Sequence, residues 1–262
     1  MVRVETRLSF EEYFWKDIDL SGKVVLDAGT GFGITTLEIA KRISMQKRKG
    51  RIISIDIDPK CFELAEKLLE ENGLIDLVTF IKADLSNMPQ IESESIDVII
   101  STRTISDINR FPCRLMRSIS EFHRVLKKGG QIVLSDECPR FKPLSEEEEV
   151  AVLRWQLAKA ISHLIGRPHG NEVEPEDLEF MMKIVGFRKC EWAIFKGERV
   201  SKRRIEHFVT KSSEKITKIT YTGLRQAFLE AIEDVKKSFQ EKGGVFPPRY
   251  VLHAVKYDFK PS

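Results

Sequence analysis

The stretch 24-VVLDAGTGFGITTLEIAKRI-43 holds an apolar strand, an acid, three glycines and a helix within twenty residues. Val24-Val25-Leu26 is short and β-branched, as buried parallel strands are. Asp27 follows at its carboxyl end. Gly29, Gly31 and Gly33 then stand at every second position, where glycine lets the backbone take positive φ or approach a ligand closely. After them Ile34, Leu37, Ala40 and Ile43 recur every three residues, a helix face. The stretch therefore reads strand, glycine turn, helix, with the open helix N-terminus facing the turn.

Three uses of such a turn differ in detail. A Walker loop needs Gly-Lys-Ser/Thr after its glycines, and Gly33-Ile34-Thr35 has no lysine. A dinucleotide fingerprint reads G-x-G-x-x-G, whereas these glycines read G-x-G-x-G. A diphosphate also prefers a neutral or positive surround, and Asp27 stands two residues before the first glycine. A carboxylate there suits a ligand that carries positive charge. The motif D-A-G-T-G-F-G resembles the nucleotide loop of class I S-adenosylmethionine-dependent methyltransferases, whose ligand bears an α-ammonium and a sulfonium. The resemblance implies that Asp27, Ala28, Gly29, Thr30, Gly31 and Gly33 line the methionine end of that cofactor.

Two further strands end in acids. In 51-RIISIDID-58, Asp58-Pro59 reads as a helix start, with Asp58 as N-cap and Pro59 at the first helical position. That leaves Asp56 free at the strand end, where doubly wound folds place a ribose acceptor. The resemblance implies that role for Asp56 towards the adenosine ribose, with Ile57 beside it. In 77-LVTFIKADL-85 it implies an adenine contact for Asp84 and the Leu85 backbone; the other reading of Asp84 is a loop or helix cap. A fourth strand, 95-SIDVIISTRT-104, and a fifth, 131-QIVLSDE-137, flank a helix whose face is Leu115, Ile119, Phe122 and Leu126. The L-K-K-G-G-Q-I-V-L run leading into the fifth strand is a second feature similar to the family. The expected fold is α/β: a doubly wound, mostly parallel seven-stranded sheet with helices on both faces and an antiparallel last strand.

Beyond residue 145 a helix with the face Val150, Leu153, Leu157, Ala160 and Leu164 is expected, capped by Ser145. Another opens at Pro175-Glu176-Asp177 and ends at Gly186. The sixth strand is 189–196 and the last 249–257. Between them lies an insert of about fifty residues containing the amphipathic run Leu224, Phe228, Ala231, Val235 and Phe239. The division expected is 1–20 as an N-terminal lid or helix, 21–195 plus 249–262 as a Rossmann-like domain, and 196–248 as a basic helical insert. Residues 11-EEYFWK-16 either close over the site, with Tyr13 its cofactor contact, or form a helix packing Phe14 on the core.

Composition bounds the rest. The 262 residues are 42% hydrophobic, with no apolar run long enough for a membrane span and no signal peptide. A cytoplasmic protein with no membrane partner is expected. The four scattered cysteines and five histidines show no ligand spacing, so no metal is expected. The 32% charged fraction resembles a thermophile's surface. The resemblance implies S-adenosylmethionine as cofactor, with methyl transfer through proximity, which supplies roughly 7–11 kcal/mol. The end of the fourth strand faces the methyl group in that family and places Ser101 at the site. Amine and amide methylating members often carry N/D-P-P-Y/F there; this chain has Ser101-Thr102-Arg103-Thr104. The acceptor therefore stays open, with Arg103 as an anion contact or a partner of Asp107, and Asp107 and Glu137 as weak candidate bases. A small-molecule acceptor leads. RNA or protein is the alternative, because 196–218 holds eight Lys or Arg against three Glu. A non-catalytic cofactor-binding module and a nicotinamide oxidoreductase are the other classes, the latter disfavoured by Asp27 and the glycine spacing.

Overall fold

The computed structural model describes residues 3–111, 113–138, 142–167 and 169–257. The ends of the expected outer segments, 1–2 and 258–262, lie outside the described residues. The chain divides into two compact units. The first comprises 1–136, 172–194 and 250–262; the second comprises 137–171 and 195–249.

The first unit carries the sheet, in the order β3-β2-β1-β4-β5-β7-β6. Its strands are β1 (Val24–Ala28), β2 (Arg51–Asp56), β3 (Val78–Lys82), β4 (Ile96–Thr102), β5 (Leu126–Glu137), β6 (Phe187–Phe195) and β7 (Arg249–Lys256). Strands β3, β2, β1, β4 and β5 pair in parallel, and the last strand, β7, is antiparallel. Fully buried Val25, Leu26, Ile52, Ile55, Ile99 and Ile100 explain why the central strands read as continuous apolar runs. Pairing of β4 with β5 shifts between Ile96 and Val98, and the Lys-Lys-Gly-Gly run lies inside β5.

The helices of this unit are α1 (Phe10–Phe14), α2 (Ile34–Ser44), α3 (Lys60–Glu71), α4 (Ile105–Ile108), α5 (Arg114–Val125) and α7 (Pro175–Val185). Ser9 and Glu12 form a reciprocal capping box that starts α1. Pro175 opens α7, and Gly186, in the left-handed conformation, closes it.

The second unit contains α6 (Glu146–Leu164), α8 (Lys202–Ile216) and α9 (Thr222–Lys242), which pack pairwise. Ile161, Ile216, Ile219 and Ile232 form its core, with Leu157, Val209, Leu224 and Phe228 against them. The sequence division put 137–171 with the sheet; the compact units put it with the insert helices. The apolar stripe of α6 also differs from expectation. Leu153 and Leu164 are 53% and 51% exposed, while Val150, Ala151, Arg154, Ile161 and Ser162 are buried. An arginine stands in the middle of the buried face, which an apolar count cannot register. Among the described residues no helix is long and apolar enough to cross a membrane.

Candidate functional site

The glycine turn connects β1 to α2, and its backbone explains its composition. Gly29, Gly31 and Gly33 have φ of 100°, 51° and 77°, values that L residues rarely adopt. Their surroundings differ. A Cβ on Gly29 would lie 2.3 Å from Thr104 Oγ1, and one on Gly33 would lie 2.7 Å from Ala65 Cα, on α3. At Gly31 a Cβ would meet no described atom of this chain within 4 Å. Gly31 therefore faces open space among the described residues.

Asp27 is buried at the carboxyl end of β1. Its Oδ2 accepts hydrogen bonds from Thr36 Oγ1 at 2.5 Å and Ser54 Oγ at 2.9 Å. Thr30 and Ser54 hydroxyls lie 2.7 Å apart beside them. Oδ1 is buried and has no hydrogen-bond partner among the described residues. Burial pushes the Asp27 carboxyl up to about 6, against the lowering effect of Thr36 and Ser54, with Asp56 raising it further. Such a carboxylate lacks a partner for its charge.

Asp56 ends β2 and braces the turn. Its Oδ2 accepts from Gly31 N–H at 2.9 Å and its Oδ1 from Asp58 N–H at 3.0 Å. Ile57 beside it is 56% exposed. Asp58 Oδ1 accepts from Lys60 N–H at 3.1 Å. It satisfies a free donor at the start of α3, although the helix begins one residue later than expected, with Pro59 at its N-cap.

Asp84 is more heavily engaged. One oxygen accepts from the backbone and hydroxyl of Ser86, and the other pairs with Arg114. That is the loop-cap reading of this acid; an adenine amino group would share an oxygen with one of these partners. Leu85 is buried. Ser101 is also buried, and its hydroxyl donates to Ala28 O at 2.8 Å, tying β4 to β1 inside the sheet. Tyr13 is only 1% exposed and meets His253 of β7 edge-on. Tyr13 and Phe14 are both buried, as a helix packed on the core requires.

The proposed catalytic residues separate. Arg103 follows β4 at φ 55°, exposed, its N–H donating to Ser135 O at 2.7 Å. A non-glycine residue held there is the kind of local strain that clusters at functional sites. Asp107 pairs with Arg110 at 2.7 Å. Glu137, the last residue of β5, is buried and belongs to the second unit.

Sequence reading missed Thr36 and Ser54, which hold Asp27, and Asp136. Asp136 is buried and accepts from Ser106 N–H at 2.7 Å, fixing α4 just beyond Arg103. Ser54 carried a legible signal: a lone hydroxyl inside the apolar strand Ile52-Ile53-Ser54-Ile55.

A family model described as a methyltransferase domain matches residues 19–212. The chain belongs to the class I S-adenosylmethionine-dependent methyltransferase family. Its cofactor is S-adenosylmethionine. The ubiquinone/menaquinone biosynthesis C-methyltransferase of Vibrio campbellii is 27% identical over 207 residues, covering 72% of this chain and 76% of that one. The YcgJ protein of Bacillus subtilis has a solved structure of similar fold, with a TM-score of 0.64 at 16% identity. It covers 95% of this chain and 98% of the other. A geranyl diphosphate C-methyltransferase from Streptomyces coelicolor, solved with S-adenosylhomocysteine, has a TM-score of 0.53 at 16% identity over 94% and 78% of the two chains.

The methyltransferase's own residues fit the cofactor. The unpaired Asp27 Oδ1, the open face at Gly31 and the exposed Ile57 supply, in turn, a negative charge, room for a close approach and an apolar surface.

Proposed function

We propose that this methyltransferase methylates a small-molecule acceptor by direct displacement, without a metal in the step. The observation that carries the reading is the turn itself: an unpaired buried carboxylate beneath glycines, one of which faces open space. When bound, S-adenosylmethionine supplies a methyl group already activated on a sulfonium. Asp27 offsets the ligand's positive charge, with Thr36 and Ser54 fixing the carboxylate. Asp56 accepts from ribose hydroxyls while holding the turn through Gly31. Ala28, Gly29, Thr30 and Gly33 shape the backbone around the methionine end. Ile57 and Leu85 border the adenine, with Asp84 as an acceptor for its amino group. The remaining task is to align the acceptor and exclude water, which supplies roughly 7–11 kcal/mol.

Arg103, exposed after β4, serves as a contact for an acidic group on the acceptor. A general base is needed only if the acceptor must lose a proton. The names of two similar proteins, a ubiquinone/menaquinone biosynthesis C-methyltransferase and a geranyl diphosphate C-methyltransferase, point to small molecules, which supports the same class here. A turnover screen with labelled donor, run on lysate fractions of small molecules, RNA and protein, tests the reading. Label transfer to the small-molecule fraction is expected. Transfer to RNA instead would overturn it and point to the exposed Lys202, Arg203 and Arg204 of α8.

A further inference from the structure

The second unit contains a buried guanidinium whose Nη2 is left without a hydrogen-bond partner among the described residues. It belongs to Arg154, which stands in the middle of the inward face of α6 and is 8% exposed. Its guanidinium lies 5.4 Å from the centroid of the Phe246 ring, and that of Arg204, near the start of α8, lies 5.7 Å from the same centroid. Two guanidinium groups on one ring repel each other. Burial, reinforced by Arg204 and opposed by Glu137, holds the Arg154 guanidinium below its usual range. Four acids of this unit are paired elsewhere: Glu147 with Arg199, Glu198 with Arg249, and Glu146 and Glu149 with Lys242.

The backbone on which this ring is mounted is fixed by hydrogen bonds. Phe246 N–H donates to Glu198 O at 2.8 Å, Val200 N–H to Gly244 O at 2.9 Å, and Cys138 N–H to Pro248 O at 2.8 Å. A Cβ on Gly197 would lie 1.7 Å from Phe246 O, so only glycine permits this backbone approach. Ser201 caps α8 by accepting from Arg204 N–H at 3.3 Å, which fixes the helix start from which the Arg204 side chain leaves.

An unpaired buried charge costs several kcal/mol. A rigid ring bearing two guanidinium groups is therefore a poor structural device and a good receptor, because the planar guanidinium fork matches carboxylate and phosphate oxygens. We infer that the second unit contains a binding site for one small oxyanion, a carboxylate or a phosphate, held by Arg154 and Arg204 over Phe246. The oxyanion is either a free ion or the acidic group of a larger metabolite. Arg154 is too deeply placed for the phosphodiester backbone of a folded nucleic acid.

The test is thermal melting and titration calorimetry of the full chain with inorganic phosphate and with benzoate, against chloride at matched ionic strength. A bound ion raises Tm by mass action. Phosphate response alone indicates a free phosphate or phosphoryl group, and benzoate response alone a carboxylate carried on an organic body. Arg204→Gln, at an exposed position, should weaken the responding ion at least tenfold. Arg154→Met should abolish the response and raise the ion-free Tm, because it removes the unpaired charge and keeps the bulk; a purely structural arginine would lower it. Lys211→Gln, which breaks only the pair with Glu214, should change neither. No response to either ion overturns the site, as does an equal response in Arg204→Gln and the parent. So does binding of polyanionic RNA without response to the small ions. S-adenosylhomocysteine affinity, measured on the same samples, should be unchanged throughout; its loss in the parent would count against the cofactor assignment, not against this site.

Discussion

Asp27 carries a charge whose burial costs stability and which, in the proposed function, serves binding. Its carboxyl holds a proton up to about 6 in the folded chain, while an unfolded aspartate releases it near 3.8. Between these values the folded state binds more protons, so this group makes stability fall as pH rises from roughly 4 to 6, by about 3 kcal/mol at most. Above pH 6 the cost stays constant. Asp27→Asn keeps the shape without the charge and should therefore melt higher than the parent at pH 7.5 in the absence of cofactor, with little difference at pH 4. A lower melting point at pH 7.5 would show that the ionised acid is structural. A positively charged donor favours the ionised form, so its affinity should rise with pH through about 6 in the parent and stay flat in Asp27→Asn, as titration calorimetry can show. The two acids after β2 separate at the same scale. Asp56→Ala removes the acceptor of Gly31 N–H and the proposed acceptor for ribose, and should weaken the donor by about 1.5–3 kcal/mol. Asp58→Ala loses only a helix-start bond, about 1 kcal/mol of stability. Donor affinity carried by Asp58 instead would refute the assignment.

At the scale of elements the glycines part company. Gly33 is the N-cap of α2, and its missing Cβ lets that helix approach Ala65 of α3. Gly31 belongs to the turn, and a Cβ there would touch no described atom. Alanine at either position takes on the left-handed penalty, about 1–2 kcal/mol, but only at Gly33 must two helices also separate. Gly33→Ala should thus lower the denaturant midpoint more than Gly31→Ala, which should act mainly on donor affinity. Equal midpoints would mean that α2 and α3 absorb the extra carbon without moving.

Across the whole molecule, each compact unit has its own apolar core: the central strands in one, Ile161, Ile216, Ile219 and Ile232 in the other. Ile232→Ala should remove about 2–5 kcal/mol from the second core. Hydrogen exchange should then quicken in α6, α8 and α9, while the amides of β1 and β2 and the affinity for S-adenosylhomocysteine stay as in the parent. Faster exchange in both sets would show that the units open together. The sequence by itself determined the succession of the seven strands, the glycine turn and the acids that end β1, β2 and the β3 loop, because these depend on periodicity, positive φ and capping, all local properties of the chain. Tertiary structure alone decided which acids have spare oxygens. Asp27 keeps one only because Thr36 and Ser54, 9 and 27 residues away, approach the other, and Asp84 is engaged because Arg114 from α5 reaches it. It decided equally that Tyr13 is core and that Arg154, a charged residue by any local measure, faces inward beside Phe246. Burial and pairing are set by residues distant in sequence, and no local pattern encodes them.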